Sequence, residues 1–137
     1  MKGFLLSIVL ISPLMVFKTA IAEPEYIRIG MEIDVEKPAD ELWAIAGGYC
    51  DIGEWANIEC EISSGDGDIG TVRVLLGGAI TEVMVAKTDL SYGYAQQSEE
   101  GQFYDLYHGF MEAKPVNNSS SKLFYTLVYD LSNFPDQ

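Results

Sequence analysis

The chain has 137 residues, 48% of them hydrophobic, with 21 acidic side chains against eight basic ones and a formal net charge of −13. That balance argues against nucleic acid and anionic membrane surfaces as partners, because both select basic patches. The length leaves room for one domain with a modest core, and two cysteines with a single histidine cannot make the usual four-ligand zinc site.

Residues 1–22 read as a secretory signal peptide. Lys2 supplies a short positive start, Gly3 to Phe17 is an apolar run broken only by Ser7, Ser12 and Pro13, and Ala20-Ile21-Ala22 offers a small-x-small cleavage site. The run is short of the ~20 residues a spanning helix needs. Lys18, between the apolar run and the cleavage site, keeps an uncleaved anchor open as the alternative. No later stretch is long enough to span a bilayer. Removing both signal lysines takes the net charge from −13 to about −15. The expected location is secreted or periplasmic. In such a compartment a Cys50–Cys60 disulfide is the default, closing a short loop worth roughly 2–3 kcal/mol; two reduced core thiols are the alternative.

Tyr26 to Val35 alternates apolar and polar residues, as a half-buried strand does. Lys37-Pro38-Ala39-Asp40-Glu41 opens a helix, since proline suits the first helical position and carboxylates favour the positive end of the dipole. Leu42, Trp43, Ile45 and Ala46 form its apolar side and Gly47-Gly48 ends it. A second short helix is expected over Asp51 to Ala56. Trp43 and Trp55 read as core anchors of the two.

From Asn57 onward the pattern is of strands only. Ile58 to Ser63 is one, and the turn Ser64 to Asp68 follows; its acids lack the further oxygen ligands and distal glutamate of a calcium loop. Gly70 to Lys87 then reads as a hairpin about Gly77-Gly78, because two-residue turns need positive φ. With those glycines as the loop, Leu76 faces Ala79, Leu75 faces Ile80, Val74 faces Thr81 and Arg73 faces Glu82. Arg73 and Glu82, the one cation and the one anion inside the two runs before the terminal Lys87, thus share a sheet face. Ser91 to Gln97, Phe103 to Ala113 and Lys122 to Leu131 are further strands, with Pro115 to Ser121 as a polar loop in which Asn117 and Asn118 match N-x-S. The fold class is therefore α+β: one strand, two short helices, then six strands in a meander, wrapping into a curved antiparallel sheet whose concavity needs filling.

This order, with specific residues, resembles the SRPBCC superfamily (the START/Bet v 1-like helix-grip fold) and its polyketide cyclase/dehydratase-like branch. The carrying residues are Pro38 to Trp43, Cys50 to Trp55, Cys60-Glu61, Gly70 to Arg73, Thr81 to Met84, Tyr92 to Tyr94, Tyr107, and Phe124-Tyr125 to Tyr129-Asp130. The resemblance covers Tyr26 to Asp130 and implies a seven-stranded antiparallel sheet gripping a C-terminal helix, with an interior cavity for apolar or amphipathic molecules. It implies that Arg73, Glu82, Tyr94 and Tyr107 point into that cavity, with Tyr125 at another cavity position. The long C-terminal helix has no match in residues 23–137. Truncation is the expected reason; a cavity open at one end or a partner covering the groove are the alternatives.

The residues that could carry chemistry follow. Arg73 could hold a carboxylate, carbonyl or enolate oxygen, and Glu82 could accept a proton; a salt bridge solvating one face of the hairpin is the plainer reading. Tyr94, Tyr107 and Tyr125 offer apolar bodies with one polar tip, or ordinary aromatic packing. His108 alternates with Tyr107 and so faces the opposite side. No nucleophile–histidine arrangement, metal motif, phosphate loop or dinucleotide fingerprint occurs, so no cofactor is expected. The expected function is binding of a small hydrophobic or amphipathic molecule in an interior cavity. The alternatives are a cyclase, dehydratase or isomerase using Glu82 and Arg73, and a non-catalytic interaction module or truncated remnant.

Overall fold

The computed structural model describes residues 25–96, 104 and 106–132; the signal-peptide reading therefore lies outside the described residues. Strand β1 (Tyr26–Val35) is followed by helices α1 (Ala39–Ala46) and α2 (Ile52–Trp55). Strands β2 (Cys60–Ser64), β3 (Val72–Leu75), β4 (Ile80–Thr88), β5 (Ser91–Gln96), β6 (Leu106–Asn117) and β7 (Ser120–Asp130) complete it. All seven strands form one sheet in the order β1-β7-β6-β5-β4-β3-β2, every neighbouring pair antiparallel. The meander is as the sequence predicts; the structure adds that β1 pairs with the last strand.

The core lies between α1 and the concave face. Ala39, Leu42 and Ala46 of α1 pack with Met84, Tyr92, Tyr94, Met111 and Ala113, because alternate strand residues share a face and the helix buries one stripe. Trp43 sits against this cluster, its ring 5.7 Å from that of Tyr92. Trp55 does not act as a core anchor. It is 47% exposed and touches Tyr125 edge-on at 6.1 Å, since a single helical turn has too little length to turn its last residue inward.

Three local expectations are also revised. The β3–β4 hairpin closes through a 3-10 turn at Leu76–Gly78 rather than a two-residue loop. The Leu76 N–H is drawn out of the ladder to the Glu59 carbonyl at 3.1 Å, and Leu76, Gly77 and Gly78 all take positive φ. The longer loop adds one residue to each side, so the register is unchanged: Arg73 still faces Glu82, and Leu75 faces Ile80. The polar stretch after residue 114 is mostly strand. Pro115 pairs with Ser121 beside a bulge, where its missing N–H is tolerated, and Asn117 ends β6 by accepting the Ser119 N–H at 2.8 Å.

Strand β1 is not half-buried. Helix α1 packs over β6 and β7, and the apolar side of β1 stays open, with Met31 43% and Ile33 60% exposed. Among the described residues there is no long helix over this face, and no helix long and apolar enough to cross a membrane.

Cys50 and Cys60 are joined in a disulfide, as the oxidising-compartment reading predicts. The bond ties the segment between the helices to the first residue of β2 across a sequence separation of 10. Replacing both cysteines with alanine should lower stability by roughly 2–3 kcal/mol, read from the midpoint of urea unfolding. A reductant should lower the wild-type midpoint by a similar amount and leave that of the double variant unchanged.

Candidate functional site

Strand pairing alone places Arg73 on the concave face, opposite Ile62 of β2 and Glu82 of β4, with Gln96 of β5 next in the row. One row along, Met84, Tyr94, Gly109 and Leu127 face each other across β4 to β7, and Tyr125 lies opposite Met111. The five predicted site residues, Arg73, Glu82, Tyr94, Tyr107 and Tyr125, therefore come from five different strands and meet on one surface.

Arg73 is 0% exposed. Its Nε donates to Glu82 Oε2 at 2.7 Å, and Nη2 lies 2.6 Å from the same oxygen. Nη1 donates to the backbone carbonyl of Tyr49, in the segment between α1 and α2. The guanidinium carbon lies 4.3 Å from the ring centroid of Tyr49 and 4.7 Å from that of Tyr94. A guanidinium accepts such surroundings because it is planar, weakly hydrated and attracted to aromatic faces. Nη2 is close enough to Oε2 for strong attraction but is not aligned to donate to it. Among the described residues, neither Nη2 nor the buried Tyr49 hydroxyl has a hydrogen-bond partner.

Tyr94 lies flat across Gly109. A Cβ at that position would come within 2.1 Å of the ring, so glycine is what lets the phenol cross the sheet and bond the hydroxyl of Tyr125. Tyr107 stacks on Tyr94 at 6.4 Å and on Tyr129 at 5.8 Å. Gln96 donates to the Tyr104 hydroxyl, and the Tyr104 ring lies 5.4 Å from Tyr107.

Burial governs the protonation states. It holds the Glu82 carboxyl above the usual carboxylate range, with Arg73's charge and hydrogen bond pulling the other way. Burial also opposes the charge of Arg73, but the Glu82 carboxylate together with Tyr92 and the hydrogen bonds to both offsets this, and the guanidinium stays charged. Burial pushes the Tyr107 phenol up to about 12 and raises Tyr49, Tyr92, Tyr94 and Tyr125 as well. The phenols are therefore neutral donors at physiological pH, gathered about one fixed cation and one carboxyl of adjustable charge. Such a set can bind an oxygen acceptor, and Glu82 can take a proton.

Sequence reasoning missed Tyr49 and Tyr92. Tyr92 shares the parity of Tyr94 on β5 and could have been found that way. Tyr49 sits in an irregular linker, where no periodicity signals direction. His108 lies on the convex side, facing Ala95 and Val128 with its ring 6.2 Å from Phe110. It takes no part in this site.

No protein-family model and no curated protein matches the sequence. Solved structures match the fold. Ara h 8.0201 superposes with a TM-score of 0.63 at 15% identity, over 82% of this chain and 82% of that one. An uncharacterised protein from Bacillus thuringiensis gives 0.64 at 15% identity, over 80% and 82%. Norcoclaurine synthase from Thalictrum flavum, in complex with dopamine and hydroxybenzaldehyde, gives 0.62 at 15% identity, over 88% and 80%. At such identities the likeness is one of architecture, and it shows the fold alone: the chain has a Bet v 1-like fold.

Proposed function

We propose that this is an exported protein that holds a small hydrophobic or amphipathic molecule on the concave face of its sheet, with the polar end of that molecule at Arg73. The observation that carries the reading is the wholly buried guanidinium, ion-paired with Glu82 in an aromatic shell, beside the Tyr49 hydroxyl, which has no hydrogen-bond partner among the described residues. Buried polar groups are normally satisfied, and an unsatisfied one calls for a missing partner. An oxygen acceptor on the ligand supplies it. The apolar body of the ligand then meets the open side of β1 and Trp55, which a protein otherwise covers. Export is supported by the N-terminal apolar run and by the disulfide.

Organic-solvent extraction of the purified protein, followed by mass spectrometry, should release a stoichiometric apolar or amphipathic compound. Arg73→Ala should lose it, but should also cost about 3–5 kcal/mol by stranding a buried carboxyl. The decisive variant is therefore Arg73→Met with Glu82→Leu, which removes both charges and restores apolar packing. Its urea midpoint should recover most of that loss, short of the donor the Tyr49 carbonyl gives up, while the extracted compound is absent. Retention of the compound by this folded double variant would show that the pair does not contact it.

A second reading is an enzyme of the cyclase, dehydratase or isomerase kind, favoured by the raised pKa of Glu82. In it, Glu82 removes a proton next to a carbonyl, while Arg73 and a tyrosine hydroxyl stabilise the enolate oxygen. A base must be deprotonated to act, so turnover of a ketone-type substrate should rise with pH through the raised Glu82 pKa, above the ordinary carboxylate range. Glu82→Gln should abolish that turnover with little change in binding. A flat pH–rate profile in the wild type would exclude Glu82 as the base.

A further inference from the structure

Beside the arginine shell lies a depression of about 490 Å³ whose walls include Trp43, Tyr49, Met84 and Tyr92, with Asp51 and Lys87 among its polar lining, and neither Arg73 nor Glu82. We propose that it is a second site, for a small organic ammonium ion, in which Trp43, Tyr49 and Tyr92 form an aromatic cage and Asp51 supplies the counter-charge. The rings form walls and not a stack: Trp43 and Tyr92 are 5.7 Å apart and tilted by 52°, and Tyr49 and Tyr92 are 5.3 Å apart at 81°. Buried Met84 adds apolar lining. Aromatic faces attract cations through their quadrupole, tryptophan most strongly, and an apolar surround strengthens the attraction. The volume is that of a small-molecule site.

The backbone is shaped to hold these walls. A Cβ on Gly47 would fall 2.3 Å from the Trp43 ring, and one on Gly48 would fall 2.5 Å from the Asp51 carboxylate. The Gly47-Gly48 pair that ends α1 is thus also what lets the indole fold back and the carboxylate come close. The Gly48 N–H donates to Asp51 Oδ2 at 2.6 Å, which fixes the carboxylate in place.

The charges already present leave the cage open to a cation. Lys87 donates to the Gly67 carbonyl at 2.6 Å and pairs with Asp68 at 2.9 Å, so its ammonium is engaged with these partners and partly offset. Arg73, on the Tyr49 and Tyr92 rings, is neutralised by Glu82. Among the described residues no cation sits over Trp43. A net charge of −13 for the whole chain raises the local concentration of cations and steers them toward the surface.

Choline and its uncharged isostere 3,3-dimethylbutan-1-ol separate a cation cage from a merely apolar dent. Titrated calorimetrically, with the Trp43 indole N–H followed by NMR, choline should bind and shift that resonance. The isostere should bind at least about tenfold more weakly, the worth of a partly desolvated cation–π contact. Asp51→Asn, which keeps an acceptor for Gly48, should weaken choline about fivefold, and Trp43→Phe should weaken it while leaving a dispersed, folded spectrum. Equal affinity for the isostere, no choline binding by the folded wild type, or choline affinity unchanged in Asp51→Asn would each overturn the assignment.

Discussion

The guanidinium of Arg73 joins the two layers of this fold. From β3 it reaches Glu82 on the next strand and the backbone carbonyl of Tyr49 between the helices, so one buried cation spans sheet and helical segment. Taking each ion of such a pair out of water costs several kcal/mol, and mutual attraction alone seldom returns a surplus. Here the cation's environment is improved by two rings within 5 Å of it and by a carbonyl that would itself need a donor. The neighbouring disulfide constrains the same linker covalently at Cys50. Fixing Tyr49 from both directions is what places its ring between the arginine and the depression lined by Trp43.

The concave face consequently divides into two zones. From β3 across to β6 it is packed with tyrosines whose hydroxyls bond one another, the Met111 sulfur or the Gln96 amide. Burial keeps them protonated, so this zone presents donors around an adjustable carboxyl. Toward β1 the surface is apolar and open, since α1 packs chiefly over β6 and β7. The ligand proposed above, with one polar end, is chosen to match this gradient, because hydrogen bonds are strongest in the low-dielectric inner zone.

Some of this was legible in the residues themselves. The register of Arg73 on Glu82 followed from two glycines and the strict two-residue period of strands, and it held although the loop proved longer, because adding one residue on each side preserves pairing. The six-strand meander and the disulfide followed from similarly local signals. Trp55 was misread, since aromatic character suggests burial but a single-turn helix does not dictate which way its last side chain turns. Strand β1 was misread for the complementary reason: its alternation marks an apolar face without saying what lies against it.

What the sequence alone determined, then, is everything governed by short-range periodicity and covalent spacing: strands, helix ends, register, and the cysteines as candidates for pairing. Only the tertiary structure decided that Arg73 is fully buried, that its third connection runs to Tyr49, 24 residues away, and that Gly109 is needed beneath the Tyr94 ring. Those contacts depend on the curvature of the sheet and the seating of α1 upon it. Both arise from the packing of the whole chain, and no local run of residues encodes them.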